Sequence, residues 1–231
     1  MLNSKIYKLA PIFIQNSILT IRGFIRVKLK RNNFSEETLR NIHKNERSAD
    51  NLQSYSDAML ESCIDNALKN VDFYKEQALT DKSINSFPVI DKSVVRNNPN
   101  AFISDVKPKV VISGATSGTT GSPLNIYQDL IAVNREQAFF DRQREWAGYK
   151  KGDKRAWIRG DMVVPFAQKQ SPFWRYSYFE DMILLSSFHI SAITIPDYIK
   201  AMVDFGVEVI QAYPSSIVAL ARYLESIDSY Y

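Results

Sequence analysis

A run of small residues, Thr116-Ser117-Gly118-Thr119-Thr120-Gly121, stands between two short stretches of strand-forming residues and sharply limits what this chain can fold into. Lys109-Val110-Val111-Ile112 reads as a strand entering the run, and Leu124-Asn125-Ile126-Tyr127 alternates apolar and polar like a strand leaving it. Gly114, Gly118 and Gly121 lack the Cβ that bars other residues from left-handed conformations, so the connection can turn tightly and approach a ligand closely. Pro123 ends it. Successive backbone N–H groups in such a loop can form an anion-binding concavity, and the hydroxyls of Thr116, Ser117, Thr119 and Thr120 surround it with further donors. Phosphate oxygens satisfy those donors, which makes nucleotide chemistry the first hypothesis. The run is not a Walker A loop, which needs a Lys-Ser/Thr pair opening a helix; no lysine occurs in residues 110–149, so a neutralising cation must come from elsewhere. The same composition also describes a plain Ser/Gly/Thr turn with no ligand.

Around this run the chain divides into a helical first part, residues 1–108, and an α/β part, residues 109–231. Asn33 and Glu36 are placed to cap a helix over residues 34–48, and Leu60, Cys63, Ile64, Ala67, Leu68 and Val71 follow the i, i+3, i+4, i+7 spacing of one buried helical face. Pro88, Pro99 and Pro108 make the stretch from Asn85 to Pro108 a loop with short helical turns. A helix over Leu130 to Ala147 should start at an Asp129 N-cap, stop before Gly148, bury Ile131, Ala138, Phe139 and Trp146, and leave Arg135, Arg142 and Arg144 on its solvated side. Lys154–Arg159, Met182–Phe188 and Val207–Ala212 read as strands, with helices over Pro196–Phe205, capped by Thr194 and Asp197, and Ser216–Ile227. Such alternation predicts an α/β fold with a parallel or mixed sheet and crossover helices. His189 and Tyr213 each follow a strand, and ligand sites in open α/β sheets gather at the carboxyl ends of strands. A histidine in that position can equally be a hydrogen-bonded structural residue.

Ser113-Gly114-Ala115-Thr116-Ser117-Gly118-Thr119-Thr120-Gly121-Ser122-Pro123 resembles the phosphate-binding signature of the adenylate-forming superfamily, which includes acyl-coenzyme A synthetases, luciferases and peptide-synthetase adenylation domains. The chain is most similar to its phenylacetate-coenzyme A ligase and CapK-like branch. Phe87-Pro88-Val89-Ile90-Asp91-Lys92, Trp146–Asp153, Ser186–Ser191 and Ala212-Tyr213-Pro214-Ser215 resemble further landmarks of that branch, so the likeness runs along nearly the whole chain. It implies a two-step reaction in which a carboxylate attacks the α-phosphorus of ATP and a thiol or other nucleophile then takes the acyl group, with positioning and electrostatics carrying the chemistry. It also implies that residues 116–121 hold the ATP phosphates, that His189 and Tyr213 border the acyl or nucleotide pocket, and that ATP/AMP, Mg²⁺ and coenzyme A take part. The substrate would be a small carboxylic acid, and a capsular or other surface-polysaccharide role follows by analogy. Members of the superfamily are nearly twice this length, so the expected architecture is the N-terminal half of the large adenylating domain. The remainder, with the acidic adenine- and Mg²⁺-binding motif, the ribose-binding aspartate and the lid domain with its catalytic lysine, would be supplied by another chain, as in a split gene product, or lost by natural truncation or a frameshift, and no catalytic residue is assigned here. Leu124 occupies a position where many superfamily members carry lysine. The alternative is a catalytically silent module that keeps the fold and acts through nucleotide or partner binding.

Composition narrows the partners. The single cysteine, Cys63, excludes an intramolecular disulfide, points to a reducing, cytoplasmic setting and lies on the apolar helical stripe as expected of core packing. Neither histidine lies in a cluster with metal-ligand spacing, and His43 falls in a charged helix that should lie at the surface. Seven of the 29 basic residues fall in residues 1–31, which contain no acid, leaving 22 basic against 25 acidic residues in the rest. That first segment is apolar in patches but too broken to supply the about 20 apolar residues that span a bilayer, and it lacks the pattern of a signal peptide. It reads either as a basic amphipathic helix lying at the inner face of an anionic membrane or as a helix docked on the protein's own core. Aromatic and basic residues interleave at Phe139–Trp146 and Phe173–Phe179, but no nucleic-acid-binding motif accompanies them, and nucleic acid is not an expected partner.

Overall fold

A computed structural model describes residue 2 and residues 4–77, 79, 81–116 and 123–228. The chain forms two compact units, one built from Met1–Lys28 with Arg144–Tyr231 and the other from Leu29–Gln143. Its elements, in chain order, are helices α1 (Lys5–Leu9), α2 (Ile12–Lys30), α3 (Asn33–Asn45), α4 (Ala49–Asn70), α5 (Asp72–Lys75) and α6 (Lys92–Asn97), strands β1 (Val111–Ala115) and β2 (Asn125–Asp129), helix α7 (Leu130–Trp146), strands β3 (Arg155–Ile158), β4 (Trp174–Ser177) and β5 (Met182–Leu185), helix α8 (Ile195–Phe205), strand β6 (Val209–Ala212) and helix α9 (Pro214–Ser226).

In the first unit a four-stranded sheet has the order β4-β5-β3-β6. β3 lies parallel to both neighbours, with Arg155 opposite Met182 on one side and Val209 on the other, while β4 pairs antiparallel with β5. The sequence makes β5 a continuous apolar run, Met182-Ile183-Leu184-Leu185, and every residue of it is buried. This is the pattern of a strand covered on both faces. One face, bearing Trp157, Met182 and Leu184, meets Leu19 of α2. The other meets α8, where Trp174 lies edge-on to Tyr198 at 6.2 Å and Tyr176 packs against Phe205 at 5.3 Å. Gly206, with φ of +75°, ends α8 in the left-handed conformation that glycine adopts without strain.

β4, Trp174-Arg175-Tyr176-Ser177, was not foreseen, although its aromatic and polar residues alternate as in a strand. Its outer edge is completed by side chains of α2: Asn16 Oδ1 accepts from Tyr176 N–H at 3.0 Å, and Thr20 Oγ1 accepts from Tyr178 N–H at 3.1 Å. Buried Arg175 donates to the carbonyls of Pro172 and Trp174, to Gln168 Oε1 and to Gln15 Oε1 of α2. Tyr7 of α1 donates its hydroxyl to Val163 O at 2.7 Å, and burial pushes that phenol's pKa up to about 12. The N-terminal segment is therefore docked, as one of the two readings of its sequence required.

The second unit is mostly helical. α3 begins one residue earlier than expected, with Asn32 as N-cap: its Oδ1 accepts from Phe34 and Ser35 N–H, each at 3.1 Å, while Ser35 Oγ accepts from Asn32 N–H at 2.9 Å. The α4 stripe is buried only toward its end, at Ile64 and Val71; Leu60 and Cys63 are exposed, so Cys63 is not a core residue. Phe73, Tyr74, Phe87 and Phe102 form an aromatic cluster that holds the proline-rich stretch, with Phe73 and Phe102 stacked at 4.3 Å. α7 starts at the expected cap, where Asp129 Oδ1 accepts from Ala132 N–H at 2.6 Å, and Gly148 beyond its end has φ of +82°. Its buried residues are Val133, Asn134 and Ala138; Ile131, Phe139 and Trp146, expected inside, are exposed. The buried face is polar enough to include an asparagine, so the apolar residues do not mark it. Arg142 is not simply solvated: its Nε lies 2.7 Å from Glu46 Oε1. Arg144 reaches Gln211 Oε1 at 3.4 Å. His43 is half-buried rather than at the surface.

Gly23 sits where α2 crosses the turn after β4. A Cβ there would lie 2.7 Å from Ser177 Oγ and 2.8 Å from Glu180 Cδ, and Glu180 cannot swing away because its carboxylate, only 4% exposed, is bound to Arg26 and Ser177. Gly23→Ala is expected to lower stability by about 1–3 kcal/mol despite alanine's better helix propensity, read as a fall in the urea midpoint. An unchanged or raised midpoint would show that α2 does not pack this closely.

Candidate functional site

The signature loop is bracketed by the antiparallel pair β1 and β2 of the second unit, in register from Val111 opposite Asp129 to Ala115 opposite Asn125. The pairing continues one step further: Thr116 N–H donates to Leu124 O at 3.0 Å, and Leu124 N–H donates to Thr116 Oγ1 at 3.0 Å. Thr116 thus closes the hairpin with its side-chain oxygen as acceptor and retains a hydroxyl hydrogen to give. Ser117, Gly118, Thr119, Thr120 and Gly121 lie outside the described residues. The strands run from the loop's two ends as the alternation at Leu124–Tyr127 implied, their bounds displaced by one to three residues.

His189 and Tyr213 belong to the first unit, at the carboxyl ends of β5 and β6 on either side of β3. β5 is followed by buried Ser186, whose Oγ lies 2.8 Å from His189 Nδ1 and whose carbonyl accepts from the Tyr198 hydroxyl at 2.8 Å. The imidazole stacks on Phe173, centroids 4.7 Å apart and planes 16° from parallel. Thr194 Oγ1 donates to the His189 carbonyl at 2.6 Å. Partial burial holds the His189 pKa below its usual value and outweighs the backbone carbonyls of Phe166 and Gln168, which favour the charged form. At neutral pH this ring is an uncharged, oriented plate, better suited to walling a pocket than to carrying a proton. Phe188 and Phe166, edge to face at 4.7 Å and both exposed, add an apolar shelf beside it.

Tyr213 N–H donates to Ile158 O at 3.1 Å, extending the β3–β6 ladder by one residue before Pro214 opens α9. Its ring faces Arg159, the residue after β3: the guanidinium carbon lies 4.8 Å from the Tyr213 ring centre and 5.0 Å from that of Trp157. Arg159 O accepts from Ser187 Oγ at 2.9 Å, and Asp161 Oδ2 accepts from Trp157 Nε1 at 2.6 Å. The three parallel strand ends therefore carry an arginine in contact with two aromatic rings, an uncharged histidine and a half-exposed tyrosine. Arg159 was missed in the sequence, although its place immediately after a strand and before Gly160 matches the position that singled out His189 and Tyr213. A guanidinium lying against aromatic rings at a strand end is placed to meet an anionic or planar ligand. Among the described residues no group of three or more His, Cys, Asp or Glu side chains could hold a metal ion.

The chain is 30% identical to Protein CapK of Staphylococcus aureus over 228 residues, covering 95% of this chain and 50% of that protein. Its sequence is CapK-like from near its start to near its end. The chain spans about half the length of this curated relative. No family model matches the chain, and no solved structure matches it.

The His189 environment predicts a pH effect of definite sign. A base whose folded pKa lies below its ordinary 6.5 binds fewer protons folded than unfolded, so it adds no pH dependence above about 6.5 and destabilises the fold as pH falls through and below that value. His189→Gln should remove that part of the acid-side slope of the unfolding free energy, and the His189 ring protons should titrate below 6.5 by NMR. Titration at or above 6.5 would contradict the desolvated, neutral ring.

Proposed function

We propose that this chain is the phosphate-gripping portion of a CapK-type, carboxylate-activating ligase that forms an acyl-adenylate from ATP and a small carboxylic acid. The observation that carries this reading is the Ser113–Pro123 signature set between paired strands whose register closes at Thr116 and Leu124. The CapK likeness along 95% of the chain supports it. In the reaction the acid's carboxylate oxygen bonds to the α-phosphorus of ATP and pyrophosphate leaves; a thiol such as that of coenzyme A then takes the acyl group and AMP leaves. Thr116, Ser117, Gly118, Thr119, Thr120 and Gly121 hold the phosphates through hydroxyl and backbone N–H donors. The loop supplies no cation among residues 110–149 except its distant arginines, so Mg²⁺ and the portion of the protein represented by the other half of CapK complete the charge balance. His189 and Tyr213 wall the acyl or nucleotide pocket, and Arg159 offers a positive charge at the same strand ends. The setting is cytoplasmic, and the acid activated belongs to surface-polysaccharide assembly.

Carboxylate-dependent ATP–pyrophosphate exchange tests the reading. Exchange is expected when the chain is combined with a polypeptide corresponding to the second half of its CapK-length relative, and Gly118→Val and Gly121→Val should each lower it by about 100-fold while leaving the thermal midpoint unchanged. No exchange across a broad acid panel in either the isolated or the combined chain would overturn the ligase; saturable ATP binding that persists without exchange would identify a nucleotide-binding module instead.

A further inference from the structure

Helix α2 is amphipathic in the opposite sense to an ordinary docked helix. Its inward positions, Gln15, Asn16, Leu19, Gly23 and Arg26, recur every three or four residues and are largely polar, because they complete the hydrogen bonding of β4, Arg175 and Glu180. Leu19 and Ile18 pack on the core, and the other large apolar side chains of the helix face out. Phe13, Ile14, Ile21, Phe24 and Ile25 are 70, 38, 58, 45 and 52% exposed, and at 100° per residue they share the side of the helix opposite the inward set. Ile6 and Leu9 of α1 are also exposed, at 80 and 84%. Phe24 meets Phe179 edge-on at 5.0 Å, which extends the apolar surface onto the turn after β4, where Tyr178 and Phe179 are exposed.

We propose that this outward face of α1 and α2 docks on an anionic lipid bilayer. Charge decides the occupant. Lys5, Lys8 and Lys28 are exposed in the same segment, which has seven basic residues and no acid among residues 1–31. Lys28 Nζ lies 6.0 Å from the Phe24 ring centre, its stem running beside the apolar face and its charge at the border, as a snorkelling lysine does. Glu180, next to Phe179 in sequence, is bound to Arg26 and its side chain is only 4% exposed; Asp181, exposed, follows it. Apolar side chains flanked by uncompensated lysines match the boundary between acyl chains and anionic headgroups. A two-fold contact with a second copy would instead set lysines against lysines. No helix among the described residues is long and apolar enough to cross a membrane, so α2 lies along the surface. This docking is independent of the ligase reading.

Co-sedimentation of the 231-residue chain with vesicles of phosphatidylcholine alone, or of phosphatidylcholine with phosphatidylglycerol, tests it. Binding is expected only with phosphatidylglycerol present, and it should weaken as salt rises. Lys5→Gln, Lys8→Gln and Lys28→Gln together should weaken it about 100-fold, roughly fivefold per lysine. Phe13→Ser with Ile21→Ser should abolish it while leaving the thermal midpoint unchanged, since both side chains are exposed. No binding to the mixed vesicles, or equal binding to both kinds, would overturn the proposal. So would a dimer in sedimentation velocity that dissolves on Phe13→Ser, which would assign the face to a second copy.

Discussion

One buried cation, the guanidinium of Arg175, ties the N-terminal helices to the sheet. It is 1% exposed and, among the described residues, pairs with no carboxylate; its hydrogen bonds go to two carbonyls and two amide oxygens, one of them Gln15 Oε1. Gln15 in turn donates to the carbonyls of Tyr7 and Ala10, at 2.9 and 3.0 Å, where α1 ends and α2 begins. A buried charge satisfied only by neutral acceptors tolerates no missing partner, because each lost bond leaves a polar group without water. The edge strand β4, the helix junction at Ala10 and the covering of β5 therefore stand or fall together.

Two consequences follow from this arrangement. With β4 closed at its edge by Asn16 and Thr20, the parallel strands β5, β3 and β6 are held in register, and their carboxyl ends present Arg159, His189 and Tyr213 side by side in the topology. These are the positions where open α/β sheets place ligands. A helix that spends its inward face on hydrogen bonds must also carry its apolar residues outside. The surface chemistry of residues 5–28 is thus a by-product of how the sheet edge is satisfied.

Much of this was legible in the sequence, for physical reasons that differ by element. The strand–helix alternation after Lys154 showed itself because β5 is uniformly apolar and α8 is ended by Gly206, and both signals are local. The hairpin around Thr116 showed itself through its glycines and flanking alternation. β4 did not: its aromatic and polar residues alternate, but the buried side carries Arg175 and Ser177, and the side chains that satisfy it lie about 160 positions away. The buried faces of α4 and α7 were misplaced because the apolar residues there are only partly used: Cys63, Ile131 and Phe139 point outward. Arg159 escaped notice because an arginine after a strand looks like an ordinary surface charge until its contacts with Trp157 and Tyr213 are seen.

The central functional claim is that residues 116–121 bind phosphate. The most direct measurement is an ATP titration of the isotopically labelled chain in the presence of Mg²⁺, followed through backbone amide resonances. The account predicts saturable shifts concentrated at Thr116, Ser117, Gly118, Thr119, Thr120 and Gly121, with inorganic triphosphate reproducing them and adenosine alone leaving them in place. Shifts elsewhere with those six amides unmoved, at ATP concentrations that saturate the protein, would contradict it.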